Sequence, residues 1–206
     1  MHKIIIDIET TGLPKRPINN INDPSILSNY DSARIVEVGY YIIDKDNIKV
    51  KEVEYIIKPN NFTIPEEVTK IHGISQELAI KNGISMSTAL DLLYCHLTAY
   101  TCSTFISHNI EFDKNIILSE CYRLNKNYLI EKIKSMDTFC TMKDNKIFNK
   151  WPKLNVLYQE LFNKEIIVEH RALSDVEVCY KCYCELEKRN SNNYIVLRND
   201  KRIKKN

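Results

Sequence analysis

The sequence predicts a single α/β domain built on a mixed central sheet flanked by helices. Three observations carry that expectation. An Ile-rich run, Ile4-Ile5-Ile6, opens the chain, and two further strand-like runs meet at the turn Asp44-Lys45-Asp46-Asn47. After residue 87, segments of helical apolar spacing alternate with short apolar runs. The composition, 44% hydrophobic and 27% charged over 206 residues, is that of an ordinary globular protein that needs no staples to fold.

Residues 3–8 read as a buried strand. Ile35 to Ile43 and Ile48 to Ile57 read as an antiparallel hairpin. Thr63 to Lys70 is expected to be helical, with Thr63 as cap and Pro65 in the first turn. Ser87 to Thr101 has helical spacing, Thr104 to Ser107 reads as a strand, and Phe112 to Leu124 as a helix. Ile133 to Met136 is expected to be a strand, with helices near Thr138 to Lys146 and over Leu154 to Phe162. Ala172 to Lys188 reads as a long closing helix, and Tyr194 to Arg198 as a late strand. Residues 14–33, rich in Pro, Asn, Asp and Ser, fit no element. Loops of that length are functional or disordered.

The expected organisation is a domain over residues 1–188, with 14–33 as an inserted loop, followed by a basic tail over 189–206. No apolar run approaches the roughly 20 residues of a membrane span. The N-terminus runs straight into a strand, so no signal peptide is expected. Seven cysteines without a secretory signal indicate reduced thiols in a soluble intracellular protein. The net charge of +2 is uninformative alone. Lys188, Arg189, Arg198, Lys201, Arg202, Lys204 and Lys205 face only Asp200 nearby, as either a solvated tail or a nucleic-acid contact.

Chemistry is concentrated at the two ends of the chain. Asp7 and Glu9 stand at alternate positions of the first strand, so both project from one face. Two carboxylates with no Lys or Arg beside them are costly unless a cation fills the gap, and a divalent metal is the usual answer. At the other end His170 lies five residues before Asp175, where a loop passes into a helix. Two acidic patches and a neutral imidazole are the parts for metal-assisted phosphodiester hydrolysis.

Three motifs in order carry a family resemblance. They are Asp7-Ile8-Glu9-Thr10-Thr11-Gly12-Leu13, Ser107-His108-Asn109-Ile110-Glu111-Phe112-Asp113 and His170-Arg171-Ala172-Leu173-Ser174-Asp175. Weaker landmarks between them are Ile71-His72-Gly73-Ile74, Met136-Asp137-Thr138 and Lys153-Leu154. The chain resembles a DEDDh-type 3′–5′ exonuclease, the DnaQ-like family of the DNA polymerase III epsilon subunit, over roughly residues 3–187.

The resemblance implies a ribonuclease H-like fold and a two-metal site of Mg²⁺ or Mn²⁺. Asp7 would bridge both ions, Glu9 and Asp175 would complete the nucleophile side, and Asp113 would support the second ion. His170 would accept the proton of the attacking water. Thr10 and Leu13 resemble groups that hold and wedge the terminal nucleotide, and Asn109 and Phe112 resemble contacts beside it. The implied substrate is a single-stranded or frayed 3′ end releasing nucleoside 5′-monophosphates, with DNA favoured by the epsilon-like landmarks. An exoribonuclease and a catalytically silent accessory subunit stay open as alternatives. A proofreading role would require a separate polymerase partner.

Two departures stand out: the length of segment 14–33, and Cys179 and Tyr180 on the last helix. In the segment, Lys15 and Arg16 are placed to meet a phosphate and Tyr30 to offer a stacking face; a disordered insertion is the alternative. His72 and His108 are expected to make loop hydrogen bonds and Asp137 to cap a helix. Trp151-Pro152 is expected to pack a loop onto the core. Cys179, Cys182 and Cys184 lie inside a helix, and buried thiols suit them better than a zinc knuckle.

Overall fold

The computed structural model describes residues 1–15, 22–145, 147–148, 150–167 and 169–203, with side chains described to residue 190. The strands are β1 (His2–Thr10), β2 (Ile35–Ile43), β3 (Lys49–Ile56), β4 (Cys102–Ser107) and β5 (Asp137–Cys140). The helices are α1 (Glu66–His72), α2 (Gln76–Asn82), α3 (Met86–Ala99), α4 (Ile110–Arg123), α5 (Asn127–Lys134), α6 (Leu154–Phe162) and α7 (Ala172–Ile203). Among the described residues the strands form one sheet in the order β3-β2-β1-β4-β5. β1 pairs antiparallel with β2 and parallel with β4, so the sheet is mixed.

β1 is central and covered on both faces, which is why Ile4, Ile5 and Ile6 can run consecutively at 0% exposure. Alternation then sorts its side chains. Ile4, Ile6 and Ile8 pack into the core with Leu93, Ile117 and Ile130 from α3, α4 and α5. Ile5 faces the other way, into a second core with Leu157 of α6 and Val176 and Cys179 of α7. Asp7 and Glu9 share the parity of Ile5 and therefore lie on the α7 side.

Several sequence expectations are corrected. α1 begins at Glu66, with Pro65 rather than Thr63 at its N-cap position, and no side chain caps it. α2, capped by Ser75 Oγ accepting from the Leu78 N–H, and α5 went unread. Ile133 and Lys134 end α5, and Ser135 and Met136 turn into β5 rather than forming a strand themselves. The strand β5 takes the place of a helix after Thr138, because Thr104 to Ser107 offers it a parallel edge. Asp137 accordingly pairs with Thr104 in that ladder and caps nothing. Tyr194 to Arg198 falls within α7, which also continues through residue 189. Cys179 and Cys182 are buried in that helix, and every cysteine is free. No described helix is long and apolar enough to cross a membrane.

Gly39 decides how closely α7 approaches the sheet. It pairs with Asp7 in the β1–β2 ladder. A Cβ at Gly39 would lie 2.6 Å from Ala172 C and Leu173 N, backbone atoms that cannot rotate away. Gly39→Ala should therefore push the start of α7 off the strand, at a cost of roughly 1–3 kcal/mol. A circular-dichroism melt should show a drop of several degrees; an unchanged melting temperature would mean that α7 is not seated this close.

Candidate active site

The three motifs converge where the parallel strands β1 and β4 end. Asp7 and Glu9 project half-buried from β1. Asp113 is buried in the first turn of α4, where its Oδ2 accepts from the Ser107 hydroxyl at the end of β4. Asp175 is buried in the first turn of α7. First-turn carboxylates sit at the positive ends of helix dipoles, which suits both positions. His170 precedes α7 on an exposed loop with φ +51°, left-handed backbone for a non-glycine residue. Ligand atoms of Glu9, His170 and Asp175 all lie within 4.8 Å of one another.

The acids are short of positive charge. Burial, then the charges of Asp113, Asp175, Glu9 and Glu37, hold the Asp7 carboxyl well above the usual carboxylate range. Burial and the neighbouring Asp175 push Glu9 up to about 8. Burial likewise pushes Asp113 to about 7, despite the Ser107 hydrogen bond that favours its charged form. Asp175 is raised to about 7 by burial and by Glu169 and Glu37. Its Oδ1 is buried without a hydrogen-bond partner. An orphaned buried oxygen among mutually repelling carboxylates fits a hard divalent cation, whose preferred ligands are oxygens.

Arg171 offsets this cluster only weakly, lowering Glu9 by less than burial and the neighbouring acids raise it, because another acid holds its guanidinium. The fully buried Glu37 accepts from Arg171 Nε at 3.0 Å and from the Ala172 backbone N–H at 2.9 Å. Arg171 Nη2 also reaches Glu54 Oε1 at 3.3 Å. Glu37 thus caps α7 and fixes the residue that follows His170. The sequence reading missed Glu37 and Gly39, and quoted Ser107 in the second motif without giving it a role. One signal was available for Glu37: an acid inside the apolar run Ile35-Val36-Glu37-Val38 has to be paired if the strand is buried.

A cleft of about 730 Å³ brings Asp7, Asp113, His170 and Asp175 together with Asn109 and Phe112. Thr10 and Leu13 do not line it. Thr10 is buried, with its hydroxyl donating to Gly12 O at 2.8 Å, and Leu13 projects into solvent at 75% exposure. His108 is structural: its Nε2 donates to Pro152 O at 3.0 Å and its Nδ1 accepts from the Thr141 hydroxyl at 2.9 Å. Burial lowers its pKa to about 4, keeping the ring neutral. His72 Nδ1 accepts from the Ile74 N–H at 3.0 Å.

Two expectations around the cleft change. Pro152 is buried as expected, but Trp151 is 70% exposed at the cleft and does not pack onto the core. Tyr30 offers no free stacking face, being 2% exposed within the core. Lys15 is exposed, and its backbone N–H donates to Asn29 O at 2.8 Å; Arg16 lies outside the described residues. Of the basic tail, Lys188 is exposed and Arg189 pairs with Glu185 at 2.8 Å. The side chains of Arg198, Lys201, Arg202, Lys204 and Lys205 lie outside the described set.

A pH dependence of stability follows from the raised carboxyls. Folding favours their protonated forms, so their contribution is complete below about pH 4 and is lost as pH rises through about 7 to 8. The melting temperature of the metal-free protein should therefore carry a falling component between pH 5 and 8 that is weaker in Asp7→Asn. Adding Mg²⁺ or Mn²⁺ should restore more stability at pH 8 than at pH 5. Equal metal effects at both values would show that the acids are not the binding groups.

The comparisons with known proteins agree with this geometry. The RNase_T exonuclease family profile matches residues 4–183. A sequence search of curated proteins returned no match. Among solved structures, Escherichia coli exonuclease I in complex with a dT13 oligonucleotide superposes with a TM-score of 0.70 at 15% identity, over 95% of this chain and 43% of that one. The zinc-bound E. coli exonuclease I–single-stranded DNA complex gives 0.65 at 14%, over 96% and 43%. A moderately thermophilic exonuclease I from Methylocaldum szegediense gives 0.61 at 16%, over 91% and 40%. The chain spans less than half the length of these proteins, and the likeness establishes a shared ribonuclease H-like α/β fold. With its family profile covering nearly the whole sheet and both helices that carry the buried acids, the chain belongs to the DnaQ-like, DEDDh-type exonuclease family.

Proposed function

We propose that the protein is a metal-dependent 3′–5′ exonuclease that releases nucleoside 5′-monophosphates from single-stranded or frayed DNA ends. The observation that carries the reading is the convergence of Glu9, His170 and Asp175 beside Asp7 and Asp113. Family membership supports the reaction, and the oligonucleotide complexes of the E. coli structural relatives support single-stranded DNA as substrate.

Asp7, Glu9, Asp113 and Asp175 would hold two Mg²⁺ or Mn²⁺ ions, which when bound supply water activation and stabilisation of the leaving 3′ oxygen. Asp7, flanked by the other acids, would contribute to holding both ions. His170 takes the proton of the attacking water, a task for which imidazole chemistry is suited near neutral pH. Its exposure leaves it able to hand that proton to solvent. Asn109 and Phe112 hold the terminal nucleotide in the cleft, and Phe112 gives its base an apolar face without reading its identity. Thr10 and Leu13 stand outside the cleft lining; following directly on Glu9, they would hold and wedge the terminal nucleotide, Leu13 with its exposed side chain.

A time course on matched 3′-labelled and 5′-labelled DNA and RNA oligonucleotides with Mg²⁺ tests the reading. Monophosphates should leave the 3′ end first, and DNA should be the faster substrate; release from the 5′ end would overturn the polarity. Asp7→Ala should lower hydrolysis by several orders of magnitude, because the group acts within a catalytic unit. Near-normal turnover by that variant would exclude a shared-ligand role. His170→Ala should lose roughly 10²–10⁴-fold in rate and recover partly as pH rises, since hydroxide needs no base. An unaltered pH–rate profile would remove His170 from the proton transfer.

A further inference from the structure

We propose that a second cavity beside the acidic cleft receives the penultimate base of an unpaired strand, stacked on Trp151. The inference rests on the exonuclease reading and extends it to what the strand must look like.

Trp151 is the single tryptophan of the chain and is 70% exposed, an unusual state for the largest apolar side chain. It is nonetheless held in place. Lys143 Nζ lies 4.8 Å from the ring centroid, and the same amine pairs with Glu111 Oε1 at 2.7 Å, which ties that side of the ring to α4. The next residue, Pro152, is buried, and its carbonyl accepts from His108 Nε2. With one side met by the ammonium and the next carbonyl held by His108, the rest of the indole stands exposed as a stacking surface.

That surface stands between two cavities. Trp151, Asn109 and Phe112 line both the catalytic cleft and a neighbouring cavity of about 410 Å³. The second cavity is completed by Pro14, Lys15, Asn22, Tyr30, Glu111 and Asn115; its one acid, Glu111, is the carboxylate already paired with Lys143, and no catalytic acid lines it. A strand whose last nucleotide lies against Asp7 and Asp113 must leave the cleft past this divider. The chemistry on the far side matches a nucleotide: an aromatic face for the base, amide groups at its edge and the exposed Lys15 ammonium for a phosphate. Stacking tolerates every base, so the subsite would be indifferent to sequence. It does require the penultimate base to be unpaired, which makes Trp151 a determinant of single-strand preference.

Because the chain has one tryptophan, its fluorescence reports on this position alone. The test uses the full chain carrying Asp7→Asn, so that strands are not consumed, and tetrathymidylates that are intact, abasic at the penultimate position or abasic at the 5′ end. The intact and 5′-abasic strands should quench the fluorescence. The penultimate-abasic strand should quench little and bind at least about fivefold more weakly. Trp151→Phe should keep affinity within about threefold, whereas Trp151→Ala should lose roughly 5–100-fold, the scale of one stacked base.

Equal quenching by the two abasic strands would overturn the subsite. So would undiminished binding by a folded Trp151→Ala chain. The strand series needs no substitution at Trp151 and decides the matter even if that variant fails to fold. Position-dependent quenching without hydrolysis by the wild-type chain would sink the exonuclease reading and leave the subsite standing. Hydrolysis without position-dependent quenching would do the reverse.

Discussion

The Glu37 carboxylate, buried in the middle of the sheet, accepts hydrogen bonds from both Arg171 and the Ala172 backbone N–H, and this joint fixes where α7 begins. The rest of the cleft is referenced to that point. Asp175 lies one turn further along α7, and His170 one residue before Arg171. Gly39, two residues from Glu37 on the same strand face, removes the side chain that would hold the helix away. A buried acid is tolerated here because its charge is met by a guanidinium fork and a helix N-terminus together. The same pairing keeps Arg171 from filling the site. Were the guanidinium free to turn toward Glu9, it would neutralise the acids internally and weaken their hold on an external cation.

The acids themselves are brought together against their mutual repulsion by packing that does not involve them. Ile5 binds β1 to α6 and α7, while Ile4, Ile6 and Ile8 bind it to α3, α4 and α5. Period-two alternation then leaves Asp7 and Glu9 no choice of face. Asp113 arrives from the other side of the sheet only because α4 starts where β4 ends, with Ser107 anchoring its carboxylate. The apolar layers thus hold the carboxylates in an arrangement they would not adopt alone. That is the condition under which a bound cation becomes part of the stability as well as the chemistry.

How much of this could be read in advance depended on whether the controlling interaction was local. The ends of β2 and α6 follow from apolar periodicity and were legible to the residue. Asp7, Glu9, Asp113, His170 and Asp175 were legible because each belongs to a short motif. Asp137-Thr138 reads locally as a helix cap, yet the parallel edge of β4 recruits it as strand, a tertiary override of local preference. α2 and α5, at 7 and 8 residues, are too short for periodicity to declare them. Glu37 and Gly39 escaped for a different reason. Their meaning lies in the β1–β2 register, which sets Glu9 opposite Glu37 and Asp7 opposite Gly39, and no local spacing encodes that pairing.

The division of labour between rigid and irregular backbone also has a physical logic. The four acids stand on a strand or on first turns of helices, where packing fixes both backbone and rotamer. His170 alone stands on an exposed loop, in a left-handed conformation that costs a non-glycine residue about 1–2 kcal/mol. Groups that organise charge benefit from being immobile, since reorganisation would erode their effect. In the proposed mechanism His170 would gain and lose a proton each cycle, and such a group needs access to solvent. The Glu37–Arg171 joint reconciles the two by anchoring the chain one residue after His170, so that the imidazole stays within reach of Glu9 and Asp175 while remaining exposed.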